Sequence, residues 1–264
     1  MTLAIVQACG GSDEPPPEET STGDEVVAEP EPEPEPPPPA PSPLRVLHAA
    51  AASFGAAVSG MAGDAQIEEV AFAAASAYVP VDVGSTLALN AGGATVEQAL
   101  ELSPGVPVTA LLFSGEGGAP TVLVMPDEAR PVMGQTRGRF VNAMLGSGEA
   151  LDLCFPGANR RAPGRALIAG VEYGDFGGIP SFPSRYQPMT LAGVDAVQVR
   201  VAAENACSGA IVGTAALPPI DINVAHNLTI VAIGRRTGRP AVPRQLLVCE
   251  DTPGPGTCVA LPLR

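Results

Sequence analysis

The sequence contains an internal repeat, which constrains the fold more than any other feature of the sequence. The stretch Arg45-Val-Leu-His-Ala49 returns as Arg139-Phe-Val-Asn-Ala143, 94 positions later. Three more matches follow in the same order: Val70 and Phe72 with Val171 and Tyr173, Thr109 with Thr229, and Asp127 with Asp251. Because the offset grows along the chain, the order of matches predicts two copies of one module, the second enlarged by inserted loops.

The repeat divides the chain into five predicted parts. A chain of 264 residues is long enough for two modules that each bury a core. The predicted parts are a signal-peptide remnant at 1–8, a lipidated cysteine with a disordered linker at 9–43, a first repeat at 44–129, a linker at 130–137 and a second repeat at 138–264.

Short apolar runs separated by turn residues predict an all-β fold. From residue 44 onward, runs rich in Val, Leu, Ala and Thr alternate with turns, and the chain has 30 Gly and 30 Pro. Regular short strands of this kind indicate β-sandwiches. The segment 64–78 has the propensity of an amphipathic helix, with Asp64 as its N-cap. Its counterpart at 170–182 is Gly-rich and a poor helix, so we interpret both segments as extended.

The repeated opening, the Val-x-Phe or Val-x-Tyr stretch and the Gly-bounded strand pair resemble a bacterial envelope family known as domain of unknown function 4397. The resemblance covers residues 44 to 127 and 138 to 251, and departs from the family pattern in the Ala-rich stretch at 49–52. It implies two tandem immunoglobulin-like or transthyretin-like β-sandwich domains in a secreted or lipid-anchored protein. It supplies no catalytic residues.

The first residues, MTLAIVQACGG, resemble the lipobox at which bacterial signal peptides are cleaved before a lipidated cysteine. Val6, Ala8 and Cys9 match that pattern, whereas Gln7 stands where a small residue is usual. Eight residues are too few for a complete signal, so we expect the true start to lie upstream. The alternative is that residues 1–8 are an N-terminal remnant without function and that Cys9 is a free thiol.

The segment after Cys9 predicts an acidic, proline-rich stalk. Residues 10–43 hold ten of the 28 Asp and Glu and no Arg. Alternating Glu and Pro cannot bury a core and favours an extended polyproline II chain. The fifteen residues from Glu29 to Pro43 would span roughly 45 Å in that conformation. The sequence therefore predicts a disordered spacer with an anchor at one end.

The charge distribution excludes several function classes. Outside residues 10–43, 18 acidic residues face 14 basic ones, so the body has a net charge of only −4. All 14 basic residues are Arg, so neither a P-loop lysine nor a Schiff-base lysine exists. There is no basic stripe for nucleic acid and no apolar run long enough to span a membrane. A lipid on Cys9 is thus the only membrane attachment that we predict.

Four further cysteines lie in the second repeat, and an even number in an exported protein indicates disulfides. Three pairings are possible. We favour Cys249 with Cys258, because the intervening residues are rich in Pro and Gly turns, which leaves Cys154 for Cys207. A zinc site is the alternative, although there is no Cys-x-x-Cys and only two histidines could add nitrogen ligands.

No catalytic, cofactor or metal residues are predicted. His48 is the most tempting general base, but its counterpart is Asn142, so the position favours a polar group that bonds to backbone at a strand end. The common hydrolase motifs are absent. Two carboxylate pairs can be proposed from sequence, and we interpret both as ordinary loop charges: Glu172 with Asp175, and Glu250 with Asp251.

These observations predict a monomeric, non-catalytic lipoprotein of the cell envelope that presents two sandwich modules for binding or for a structural or adhesive role. Its partner would be an envelope or extracellular protein or polysaccharide. Gly10 after the cysteine resembles lipoproteins sorted to the outer membrane of diderm bacteria. The alternative is an envelope hydrolase with a site in the inserted loops at about 146–165 and 202–218.

The cysteine pairing can be tested by mapping peptides without reductant. We expect two linked pairs, Cys249 with Cys258 and Cys154 with Cys207. Trypsin would leave the first pair within one peptide, so a protease that cuts after Glu250 is needed to separate its partners. Reduced protein digested in parallel provides the control. Four free thiols would contradict the disulfide assignment.

Overall fold

The computed structural model describes residues 35–127, 132–146, 148–157, 162, 164–179, 184–191, 193–221, 224–239, 241–251 and 258–264. The chain divides into two units, Met1–Pro37 and Pro38–Arg264. The predicted signal remnant, Cys9 and the stalk up to residue 34 lie outside the described residues. Residues 35–41 are exposed and form neither helix nor strand.

The first half of the second unit is a β-sandwich, which we name the first sandwich. One sheet has the order β4-β1-β7-β8 and the other the order β3-β2-β5-β6. Its strands are β1 (Ser42–His48), β2 (Val58–Ala62), β3 (Ala65–Val70), β4 (Val79–Val81), β5 (Thr86–Ala91), β6 (Ala94–Ala99), β7 (Val108–Ser114) and β8 (Pro120–Pro126). The prediction of an all-β fold is confirmed.

The remaining strands form the second sandwich. One sheet has the order β12-β9-β16-β17-β18, with β13 also paired to β9, and the other the order β11-β10-β14-β15. Its strands are β9 (Thr136–Asn142), β10 (Leu151–Cys154), β11 (Ala166–Val171), β12 (Phe176–Gly177), β13 (Gln187–Pro188), β14 (Ala196–Val201), β15 (Ile211–Ala216), β16 (His226–Ile233), β17 (Gln245–Glu250) and β18 (Cys258–Pro262).

The two sandwiches share one pairing scheme. In the first, β1 runs parallel to β7, with Arg45 opposite Thr109. In the second, β9 runs parallel to β16, with Arg139 opposite Thr229. Each of these parallel pairs continues into an antiparallel partner, β8 or β17. The residues that repeat in the sequence therefore hold equivalent places in the two sheets.

The four sheets stack as four layers around three apolar clusters. One cluster fills the first sandwich, another fills the second, and a third lies between the sheet of β1 and β7 and the sheet of β9 and β16. Since successive residues of a strand face opposite sides, these inner strands need apolar residues on both faces. That requirement explains the uninterrupted apolar runs of β7 and β16, where nearly every residue is buried.

The segment 64–78 is not helical. It forms β3 (Ala65–Val70), which pairs with β2, and then an irregular stretch in which Ala73 has a φ of 61°. The extended interpretation is confirmed for the strand, because pairing with β2 overrides helix propensity. The second sandwich begins with β9 at Thr136, two residues before the predicted start of the second repeat at 138. No helix among the described residues is long and apolar enough to cross a membrane.

Candidate functional site

A cluster of buried, hydrogen-bonded polar side chains lies between the two sandwiches. On β1, the Arg45 guanidinium donates from Nε to the Thr109 hydroxyl at 2.9 Å, and the Thr109 hydroxyl donates to Oδ2 of Asp127 at 2.7 Å. The second nitrogen of Arg45, Nη2, forms an ion pair with Asp251 of the other sandwich. All four side chains are buried.

The second sandwich repeats the arrangement in the opposite direction. Arg139 donates from Nε to the Thr229 hydroxyl at 2.8 Å, and that hydroxyl donates to Oδ2 of Asp251 at 2.6 Å. Nη2 of Arg139 pairs with Asp127 of the first sandwich. The hydrogen bonds thus form a closed ring, which we name the junction ring: Arg45, Thr109, Asp127, Arg139, Thr229 and Asp251.

Two tyrosines complete the junction ring. The Tyr78 hydroxyl donates to Asp127 at 2.8 Å, and the Tyr186 hydroxyl donates to Asp251. The guanidinium of Arg45 lies 5.0 Å from the Tyr78 ring centre, and that of Arg139 lies 4.8 Å from the Tyr186 ring centre. Burial raises the pKa of Tyr186 to about 12, and burial together with the Asp127 carboxylate also raises the pKa of Tyr78. Both hydroxyls therefore remain donors at neutral pH.

The junction ring satisfies the hydrogen-bonding groups of two buried arginines and two buried aspartates. Nη1 of Arg45 reaches the Glu250 carbonyl at 2.9 Å, and Nη1 of Arg139 reaches the Pro126 carbonyl at 2.7 Å. Removing one partner of such a buried pair leaves an uncompensated charge, which is far more costly than the pair itself is stabilising. The sequence reveals these residues as repeat markers, but not that they meet.

A cleft opens at one end of the interface between the sandwiches. The glycines of the β7–β8 hairpin form one wall and loops of the second sandwich form the other. Tyr173 packs edge-on against Phe113, with ring centres 5.9 Å apart, and donates its hydroxyl to the Ser114 carbonyl. Burial raises the pKa of Tyr173 to about 12. The residues that line the cleft are Phe113, Gly115, Gly117, Thr121, Leu145, Gly146, Gly148, Glu172, Tyr173 and Gly174. We name it the junction cleft.

His48 and Asn142 hold equivalent places, and each side chain contacts a backbone carbonyl. Nδ1 of His48 lies 3.2 Å from the Val70 carbonyl, and Nδ2 of Asn142 donates to the Val171 carbonyl at 3.1 Å. The prediction of a polar group that bonds to backbone is confirmed. His48 is buried and its Nε2 has no hydrogen-bond partner. Burial therefore lowers the pKa of His48 below 6.5.

The structure brings the cysteines together in the two pairs that the sequence favours. Cys249 and Cys258 face each other across β17 and β18 at disulfide distance. Cys154 and Cys207 lie at disulfide distance between the two inserted loops. Asp152 lies close enough to that pair for the three to hold a metal ion, but its carboxylate accepts backbone N–H groups at 2.7 Å from Cys207 and Gly170.

The segments predicted to be inserted loops, 146–165 and 202–218, are not loops throughout. The first contains β10 (Leu151–Cys154) and the second contains β15 (Ile211–Ala216), and both are strands of the outer sheet of the second sandwich.

Arg200, which is buried, donates to the Gln198 side chain and to the carbonyls of Ala162 and Gly209, one in each loop. Arg200 thus connects both loops to the sheet through hydrogen bonds to uncharged acceptors. The hydrolase alternative stays a prediction.

The carboxylate pairs proposed from sequence are separated in space. Asp175 accepts from Arg185 at 3.1 Å, whereas Glu172 is exposed and lines the junction cleft. Asp251 belongs to the junction ring, whereas Glu250 lies 3.0 Å from His226 on the other side of the strand. Neighbours on an extended chain point to opposite faces, so the side chains of Glu250 and Asp251 diverge.

A comparison with protein families identifies part of the chain. The family model described as Domain of unknown function (DUF4397) matches residues 42–153. Residues 42–153 contain a DUF4397 domain. The match covers the whole first sandwich and the strands β9 and β10 of the second, including four members of the junction ring. No curated protein matches the chain.

We predict that Asp251→Ala lowers the free energy of unfolding by about 3 to 5 kcal/mol, because Arg45 is left buried without a carboxylate. Chemical denaturation measures this loss. Glu149→Ala, which breaks the more exposed ion pair with Arg236, is the matched control and should cost less than about 1 kcal/mol. Equal losses in the two variants would contradict the role of the junction ring.

The neutral state of His48 makes stability depend on pH. The folded-state pKa lies below 6.5, so the unfolded chain binds more protons as the pH falls past that value. Stability is therefore fully present above pH 6.5 and decreases below it. His48→Asn places there the residue that the second sandwich uses at Asn142, and it should remove this share of the acid sensitivity. The free energy of unfolding of wild type and of His48→Asn, measured as a function of pH, gives this share as the difference between the two curves. Parallel curves would contradict the assignment of the acid sensitivity to His48.

Proposed function

We propose that the protein is a non-catalytic lipoprotein of the bacterial cell envelope, held through Cys9 and carrying its two sandwiches on an acidic, proline-rich stalk. The lipobox-like sequence before Cys9 and the composition of residues 10–43 support the anchor and the spacer. Gly10 supports sorting to the outer membrane. The role is binding or adhesion toward an envelope or extracellular protein or polysaccharide.

The observation that carries the binding role is the junction ring. Two modules joined by a loose linker would each bind alone, but here Arg45 and Asp251 connect the sandwiches across a buried interface. The junction cleft therefore has walls from both sandwiches in a fixed arrangement. Ligand sites are commonly concave and form at the interface between modules.

We also propose that the second sandwich is a second copy of the same domain. The equivalent pairing of β1 with β7 and of β9 with β16 supports this relationship, as does the equivalence of His48 and Asn142. Among the described residues, the extra strand β18 then belongs to the second copy alone, whereas β10 and β15 have counterparts in β2 and β6 of the first. The second copy is enlarged while the parallel pairing of β9 with β16 is kept.

The anchor is tested by membrane fractionation of wild type beside a Cys9→Ser variant, both expressed with a full signal sequence. We expect the wild type in the membrane fraction and the variant in the soluble envelope fraction, because the thiol is the lipid acceptor. A Cys154→Ser and Cys207→Ser double variant is the matched control, since it removes cysteines without removing the anchor. Unchanged membrane attachment of Cys9→Ser would overturn the lipoprotein proposal.

Protease treatment of intact cells then locates the partner. Loss of the sandwiches from intact cells indicates a surface role toward external ligands. Cleavage only after lysis indicates a periplasmic partner, such as peptidoglycan or another envelope protein. A cytoplasmic protein measured beside it reports lysis.

A further inference from the structure

The outer edges of β8 and β17 differ, although the strands hold equivalent places in the two sandwiches. β17 lies between β16 and β18. β8 pairs with β7 on one side and, among the described residues, with no strand on the other. Asp127 and Asp251 show which residues of β8 and β17 are equivalent. The Asp127 N–H donates to the Pro107 carbonyl at 2.7 Å, and the Asp251 N–H donates to the Asn227 carbonyl at 2.8 Å. The first sandwich thus has an open edge where the second is closed.

The backbone groups available at this edge belong to Val122 and Val124. Residues of an antiparallel pair alternate between bonding their partner and facing away. The bond from the Asp127 N–H toward β7 therefore turns Val122 and Val124 outward. The same alternation turns Pro120 and Pro126 outward, and proline has no N–H to offer. Two N–H groups are left to bind an added strand.

The second sandwich shows how such an edge is filled. Leu246 and Val248 of β17 are the equivalents of Val122 and Val124, and both pair with β18. Leu246 is fully buried there, whereas Val122 is partly exposed. At Leu246 the added strand therefore covers apolar surface that the first sandwich leaves partly exposed at Val122, whereas Val248 and Val124 are both partly exposed.

The segment after β18 closes the gap between the two sheets of the second sandwich. Leu263 is buried in the apolar core. Arg264 exchanges two backbone hydrogen bonds with Thr214 of β15, at 2.9 and 3.1 Å. One extended segment thus bonds to one sheet and then to the other.

The first sandwich has a groove at the corresponding place, between β6 and β8, which we name the open seam. Gln98 of β6 is the equivalent of Ala215. Ala215 is fully buried, whereas Gln98 is exposed although it lies on the core-facing side of the strand. The lining of the open seam includes Gln98 and Ala99 of β6 and Val124 and Pro126 of β8.

Two substitutions between the copies define what would fit in the open seam. A Cβ on Gly213 would lie only 2.7 Å from the Leu263 Cβ. The first sandwich has Val96 in place of Gly213. A segment bound there therefore needs a residue smaller than leucine opposite Val96. Glu97 stands where Thr214 faces Arg264. Opposite charges directly across a strand pair stabilise it, so a basic residue is favoured there.

We propose that the open seam binds an extended segment of a partner protein, which adds to β8 as an antiparallel strand. The segment carries an aliphatic residue, then one intervening residue, then a small residue and then Arg or Lys. Main-chain bonds to Val122 and Val124 supply the affinity, and the open seam with Glu97 supplies the specificity, as in other cases of strand addition.

This inference rests on the proposed binding role and names the chemistry of one partner. It is measured on the protein in solution, whereas the lipid anchor is measured on cell membranes. Failure of the strand addition would leave the anchor standing, and failure of the anchor would leave the open seam intact.

The probe is a synthetic peptide of residues 258–264 with Cys258→Ser and Leu263→Ala, which is Ser-Val-Ala-Leu-Pro-Ala-Arg. It is titrated into the isotope-labelled full-length chain while backbone amide spectra and amide exchange are recorded. In the free protein, the amides of Val122 and Val124 should exchange rapidly. With up to about 1 mM peptide, both should shift and become protected.

Matched variants separate backbone pairing from side-chain effects. Val124→Pro removes an outward N–H without removing a donor of the β7–β8 ladder, and should weaken binding about tenfold or more, while Val124→Thr keeps the N–H and should bind like wild type. Glu97→Arg should weaken binding without altering the fold. Thermal melts confirm that each variant is folded.

Three results would overturn the proposal: amides of Val122 and Val124 that are unmoved by the peptide, binding that survives in both Val124→Pro and Glu97→Arg, and protection of those amides in the free protein. Protection that accompanies a dimer, seen by sedimentation, would assign the edge to a second copy of the chain instead. A peptide that retains Leu263 should bind more weakly than the probe, because Val96 leaves no room for it.

Discussion

Neither sandwich supplies the carboxylate partner of its own arginine in the junction ring. Arg45 reaches a threonine of its own sheet, but its carboxylate partner is Asp251 of the other sandwich, and Arg139 depends on Asp127 in the same way. A guanidinium removed from water without a carboxylate is strongly unfavourable. The junction ring therefore couples the two sandwiches energetically as well as geometrically. The apolar cluster between the inner sheets adds area to that coupling, and the ring fixes the register in which the sheets meet.

Much of the fold follows from local patterns in the sequence. The short apolar runs predict strands, and the Gly-rich counterpart of segment 64–78 argues correctly against a helix. The repeat markers align equivalent strands because the buried places of two similar sheets demand similar residues. The uninterrupted apolar runs of β7 and β16 also carried a signal for inner sheets covered on both faces. Because side chains of a strand alternate between its two faces, such a run favours packing of each sandwich against a further layer.

The site is less accessible to sequence reasoning. Arg45, Thr109 and Asp127 are recognisable as repeated residues, but the reciprocal exchange of partners depends on how two sheets face each other, over separations of about 200 positions for Arg45 and Asp251. The interpretation of Glu250 and Asp251 as ordinary loop charges is wrong for Asp251, which is buried in the junction ring. Residues adjacent in an extended chain diverge, so Glu250 and Asp251 serve different contacts. Contacts between distant strands decide the site, and no local pattern encodes them.

The reciprocity of the junction ring bears on how such a chain can arise. An arrangement in which residue i of one unit contacts residue j of the other, while j of the first contacts i of the second, has the symmetry of a two-fold dimer. A solitary copy would hold both an arginine and an aspartate without their ion-pair partners, and a second identical copy would supply both. Gene duplication and fusion of a self-pairing subunit would preserve this interface unchanged, with the segment between β8 and β9 as the join. In a chain that arose in this way each outer face could diverge, and here, among the described residues, only the second sandwich has the extra strand β18.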